Sequence, residues 1–134
     1  SIVLLKNDQH TLPLSKSLKR IAVIGPNADN VYNQLGDYTA PQADGKVKTL
    51  LSGIRASVGK DTQIDYVKGC AIRDTASSDI AAAVDAAKRA DAVVLVLGGS
   101  SARDFKTSYQ ATGAANVDPN TVSDMESGEG FDRV

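Results

Sequence analysis

At 134 residues, with 42% hydrophobic and 23% charged residues, the chain has room for one domain and one core, with the composition of a soluble globular protein. A formal net charge of −1 and scattered basic residues leave no electrostatic footprint for nucleic acid or an anionic membrane, and no apolar run reaches the ~18 residues that span a bilayer. One cysteine, Cys70, excludes an internal disulfide, and one histidine, His10, leaves no cluster with metal-ligand spacing, so neither a metal nor another cofactor is expected.

The chain opens without an initiator Met on Ile2-Val3-Leu4-Leu5, a buried-type run read as a strand or the end of a helix. Both ends read as cut from a longer polypeptide. His10 falls in the polar turn Asn7-Asp8-Gln9-His10 and reads as surface. Pro13, in Leu12-Pro13-Leu14, bars a central strand there. The basic cluster at 16–20 reads as solvated. Arg20-Ile21-Ala22-Val23-Ile24-Gly25 predicts a strand, and its unbroken apolar run suits burial on both faces. Residues 26–30 end it as a loop, and 31–47 read as polar and turn-rich.

Thr49 is placed to cap a short helix carrying Leu50, Leu51, Ile54 and Val58 at helical spacing, with Gly59 to stop it. Gln63 to Gly69 predicts a second strand, and Cys70 after it reads as a small apolar packing residue. Ser78 or Asp79 caps a second helix, with Ile80, Val84 and Ala87 on its inner face and Lys88-Arg89 in the last turn, where cations suit the helix dipole. Asp91 to Gly98 predicts a third strand, apolar almost throughout.

Strand, helix, strand, helix, strand predicts an α/β fold: a mostly parallel open sheet with helices on both faces, a three-layer αβα sandwich. Residues 1–98 form its core and 99–134 a long irregular loop without helical or strand period, within a single partial domain spanning 1–134. Ligands of such sheets meet the loops after the carboxyl ends of the strands, here 25–30, 69–77 and everything after Gly98. A loop of this length in a compact domain points to function or disorder.

Those loops hold the candidate chemistry. Gly25-Pro26-Asn27-Ala28 lacks a Gly-x-Gly-x-x-Gly pattern, and Pro26 removes an amide that would face a pyrophosphate. Gly98-Gly99-Ser100-Ser101 has no lysine at phosphate-loop spacing. Tyr38 is either a platform for a sugar face or a ring tucked under its own loop. Asp37 either accepts sugar hydroxyls or caps the turn. Among the tail carboxylates, Asp132 pairs naturally with Arg133, which leaves Glu126 and Glu129 as acid candidates. Glu129 stands between Gly128 and Gly130, where the backbone is free to carry a carboxylate into a cleft. Glycosidases use two carboxyl groups across the scissile bond, one raised in pKa to act as acid, and desolvation against a bound sugar supplies that rise.

Taken in order, Ser1 to Asn7, Leu12 to Leu14, Arg20 to Ala28, Gly36-Asp37-Tyr38, Tyr66-x-x-Gly69-Cys70, Asp91 to Gly98 and Ser127 to Arg133 resemble the second, α/β-sandwich domain of glycoside hydrolase family 3, the β-glucosidase and β-xylosidase type. The resemblance covers nearly the whole chain. It implies a retaining exo-acting β-glycosidase whose nucleophile is an aspartate of a preceding N-terminal barrel domain, absent from this chain. It implies that Glu129 is the general acid/base, with Glu126 the fallback, and that Tyr38 lines the aglycone subsite; Asp37 beside it is the other substrate-binding candidate. The loop 99–126 is longer than the family pattern leads one to expect. The implied partners are the barrel domain of the same polypeptide and an oligosaccharide or aryl glycoside substrate, and the implied location is periplasmic or secreted. The fragment alone is expected to be inactive. The other reading is a non-catalytic carbohydrate-binding or interaction module on the same scaffold, since a fold does not fix a function.

Overall fold

The computed structural model describes residues 2–36, 39–40, 42–43, 45–72, 75–100 and 110–112. Within them run β1 (Arg20–Ile24), α1 (Val31–Leu35), α2 (Leu50–Ser57), β2 (Gln63–Val67), α3 (Ile80–Arg89) and β3 (Ala92–Leu95). The strands form one parallel sheet in the order β2-β1-β3. Ile21 lies opposite Ile64 on one side and Ala92 on the other. The α/β sheet that the sequence implies is therefore present.

β1 is buried because it is central and covered on both faces. Side chains alternate along a strand. Ile21 and Val23 point to one face, where they join Leu51, Ile54 and Val58 of the α2 region together with Ala28. Ala22 and Ile24 point to the other, against Ala83 and Ala86 of α3. The two helices thus lie on opposite faces of the sheet. The continuous apolar run of β1 is read correctly as burial on both sides.

β3 has a similar composition and a different fate. It is an edge strand of the described sheet, and Val93, Leu95 and Leu97 are about half exposed. Val93 and Leu95 stand in register with Ala22 and Ile24, on the α3 side of the sheet. α3 packs on β1 and β2 and leaves these residues uncovered.

The helix ends follow local chemistry. The Thr49 hydroxyl accepts from the Ser52 amide at 3.2 Å and caps α2, as expected. α2 stops at Ser57, two residues before the anticipated glycine, with Val58 extended. Of the two cap candidates for α3, the structure uses Asp79, whose carboxylate accepts from the Ala82 amide at 3.0 Å.

The inner face of α3 needs correction. Ala83 and Ala86 are the buried residues, whereas Ile80 and Val84 are exposed and only Ala87 of the expected trio joins the core. The reason is the closeness of helix and sheet. Gly69 has φ +71°, and a Cβ there would meet the Ala83 Cβ at 3.2 Å and the Ile24 Cγ2 at 3.4 Å. Only small side chains fit that gap, so the large ones turn to the flank.

Two further expectations change. Ile2–Leu5 forms neither helix nor strand and is exposed, since no strand of the described sheet runs beside it. The polar stretch after residue 30 contains the short helix α1. His10 is exposed, as expected of its turn.

At the amino ends of the strands, the Asp91 carboxylate accepts from the amides of Lys19 (2.7 Å) and Arg20 (2.9 Å), and the Asp91 amide donates to the Arg20 carbonyl. These amides, Arg20 first, hold the Asp91 carboxyl below its usual range.

Candidate functional site

Parallel strands place all three carboxyl ends on one side of the sheet, and three connections leave from there. The first leaves β1 through Gly25. Its amide donates to the Val67 carbonyl at 3.1 Å, and φ +130° turns the chain out of the sheet. A Cβ at Gly25 would lie 2.0 Å from the Val96 carbonyl oxygen, so glycine is what lets β3 pass this close.

The β1 connection is stitched down along its length. Asn30 caps α1 by accepting from the Asn33 amide at 3.0 Å. The Thr49 hydroxyl donates to Asp29 at 2.6 Å, the Leu51 amide to the Ala28 carbonyl at 2.9 Å, and the Gln34 carboxamide to the Lys48 carbonyl at 2.8 Å. These bonds moor α1 to the start of α2. Burial, and then the nearby Asp29 charge, push the Tyr66 phenol up from its ordinary value.

Asp37 and Tyr38 themselves lie outside the described residues. The residues that flank them are each bonded back to α1: the Thr39 hydroxyl donates to the Leu35 carbonyl at 2.8 Å, and the Gly36 amide donates to the Tyr32 carbonyl at 2.9 Å. Glu126 and Glu129 also lie outside the described residues.

A constellation that sequence reasoning passed over joins the first connection to the third. The Asn27 carboxamide donates to the carbonyl of Gly98 at 3.1 Å and reaches that of Gly99 at 3.4 Å. The Asn33 carboxamide donates to Asn27 Oδ1 at 2.6 Å, and the Ser100 hydroxyl donates to Asn33 Oδ1 at 2.7 Å. Ser100 is 4% exposed and, with Thr49, one of two buried polar residues among those described. The Gly98 and Gly99 carbonyls face Asn27, the reverse of the converging amides that an anion cradle requires. The only sequence signal was the bunching of Asn27, Asn30 and Asn33, because the partners stand about 70 residues away.

Comparison with known proteins decides the family. The family model described as Glycosyl hydrolase family 3 C-terminal domain matches residues 2–134. The chain belongs to glycosyl hydrolase family 3. A "Beta-xylosidase" of Formosa agariphila is 41% identical over 107 residues, 75% of this chain and 14% of that protein. A "Periplasmic beta-glucosidase" of Salmonella typhimurium is 35% identical over 150 residues, 84% of this chain and 20% of that protein. "Beta-D-xylosidase 3" of Arabidopsis thaliana is 43% identical over 98 residues, 72% of this chain and 12% of that protein. The chain therefore spans a fifth or less of the length of these relatives. Among its described residues no helix is long and apolar enough to cross a membrane.

Proposed function

We propose that this chain supplies the general acid/base side of a retaining exo-β-glycosidase acting on β-glucosides or β-xylosides. The observation that carries the reading is the family 3 match over residues 2–134, with relatives named for both activities. Glu129 protonates the glycosidic oxygen as the leaving group departs, while an aspartate of an N-terminal barrel domain of the same polypeptide takes the sugar. Glu129, now ionised, then takes a proton from the water that releases the sugar. A carboxyl group desolvated by a neighbouring domain and a bound glycoside is held protonated at the pH where it must act as an acid. Tyr38 and Asp37, between the tied residues Gly36 and Thr39, border the aglycone side. Oligosaccharides and aryl glycosides are the substrates, and the periplasm or the cell exterior is the location.

The test is Glu129→Gly in the full-length protein, assayed on an aryl β-glycoside with an activated leaving group, with and without azide. Turnover falls, by about 10²- to 10⁴-fold for loss of a general acid/base, and azide restores it with a β-glycosyl azide as product. Unchanged turnover transfers the role to Glu126 or another carboxylate. Residues 1–134 alone, with one partner of the carboxylate pair, do not hydrolyse glycosides. Hydrolysis by the pure fragment that is abolished in Glu129→Gln refutes that.

A further inference from the structure

A groove along α2 combines an apolar floor with two unpaired cations and no acid. From it we infer that this face seats an acid-bearing amphipathic helix of the N-terminal domain of the same polypeptide. The inference rests on the proposed reading for the presence of that domain, and not for the role of Glu129.

The groove has a volume of about 1040 Å³ and lies between α2 and the segment that precedes β1. Leu14, Leu18, Ile21, Ile54 and Val58 supply carbon surface to it. Its polar side chains are engaged within the chain. The Ser15 hydroxyl bonds to that of Ser17, and the Gln34 carboxamide donates to the Lys48 carbonyl. The Thr49 hydroxyl donates to Asp29, that of Ser57 to the Gly53 carbonyl and that of Thr62 to the Leu18 carbonyl. No aromatic ring lines the groove, so it offers no platform for a sugar face. What is left to meet a partner is apolar surface and the ammonium groups of Lys16 and Lys48, both exposed. Among the described residues neither lysine has an ion-pair partner, and no Asp or Glu lines the groove.

Such a surface selects a partner that is apolar on one side and carries carboxylates at its flank. Leu50, Gly53, Ile54 and Ser57 line the groove at helical spacing, and Gly53 has nothing within 4 Å of where a Cβ would stand. The ridge of a second helix fits such a channel. Ile2 also lines the groove and opens the exposed apolar run Ile2–Leu5. An N-terminal domain joined to this chain is therefore joined at the groove itself, where a short tether keeps its local concentration high. The matched family model is a C-terminal domain, and the relatives are long enough to hold another domain beside it.

Carbodiimide cross-linking of the full-length protein reads the contact, because it joins an ammonium to a carboxylate where the two meet as an ion pair. Lys16, Lys48 or both cross-link to carboxylates on one helix of the N-terminal domain. Gly53→Gln then puts a long polar side chain into the groove. It meets open space within this chain and replaces glycine with a better helix former, so α2 keeps its fold. Protection of the docked helix from hydrogen exchange falls by about 10- to 100-fold, the scale of an overpacked contact. Ala56→Gln, on an exposed position of α2 outside the groove, leaves that protection unchanged.

Protection unaltered by Gly53→Gln overturns the inference. So do cross-links from these lysines to carboxylates of residues 101–134 or to a second copy of the chain, and so does the failure of both lysines to cross-link. If the cross-links form while Glu129→Gly leaves turnover unchanged, the docking surface stands and the acid/base reading falls. If Glu129→Gly behaves as proposed and neither lysine cross-links, the acid/base reading stands and the docking surface falls.

Discussion

Replacing Gly25 by alanine tests how closely β1 and β3 approach. The new methyl would lie 2.0 Å from the Val96 carbonyl oxygen and 2.7 Å from its carbonyl carbon, where real contacts stay beyond 3 Å. The obstacle is backbone, so no rotamer change relieves it. φ +130° adds strain for any residue with a Cβ. Forcing an extra carbon into a packed site costs about 1–3 kcal/mol, and a backbone conformation of this kind about 1–3 kcal/mol more. If the strands part, the 2.7 Å bond from Val96 to Ile24 goes too, for about 1 kcal/mol. The total, about 3–7 kcal/mol, rivals the whole stability of an ordinary domain. Hydrogen exchange on the full-length protein, read in peptides covering β1 and β3, measures it locally. Protection falls by about 10²- to 10⁵-fold, since each 1.4 kcal/mol is tenfold. Gly53→Ala is the contrast. It lies inside α2 with nothing within 4 Å of its Cβ, and it stabilises the helix by up to about 1 kcal/mol. Protection in Gly25→Ala within threefold of the parent would refute the close approach described here.

Leu51→Ala empties the centre of the α2 face, where Leu51 is 1% exposed, and costs about 2–5 kcal/mol in denaturant unfolding. A cost under 1 kcal/mol would mean that α2 does not anchor that face. Asp91→Asn changes the pH dependence of stability. The folded carboxyl titrates below its ordinary value, so its contribution is present above about pH 3.9 and is lost as pH falls through the lower, folded value. Acid unfolding of the variant therefore has a shallower pH slope in the window below about pH 4 than the parent. Identical slopes would refute the clamp at the strand ends.

What was legible in the sequence was whatever local pattern decides. The apolar run Ile21 to Ile24, the Thr49 cap and the alternation of strands with helices each gave the correct element. What escaped depended on neighbours far along the chain. β1 and β3 read alike, yet one is central and the other an edge, and composition does not encode strand order. Ile80 and Val84 outrank alanine on any hydropathy scale, yet it is Ala83, in the tight gap at Gly69, and Ala86 that are buried. α1 looked like loop because its five residues bury nothing fully and are held through side-chain bonds at Asn30, Asn33 and Gln34. The roles proposed for Asp37, Tyr38, Glu126 and Glu129 rest on residue type and motif resemblance, since all four lie outside the described residues. The hydrogen bonds among Asn27, Asn33 and Ser100 are visible in the geometry alone.

The central place of β1 has a consequence for synthesis. Both of its hydrogen-bonding edges wait for segments translated later. At ~5–20 residues per second, the stretch from Ile24 to Leu95 takes about 4–14 s to emerge. For that time the run Ile21 to Ile24 is a naked, uncharged template for wrong partners. Lys16, Lys19 and Arg20 stand immediately ahead of it, as charges do when they guard an unavoidable sticky strand on a nascent chain. Neutralising Lys16 and Lys19, both solvent-exposed, would then lower the soluble yield from the ribosome while leaving the finished fold as stable as before.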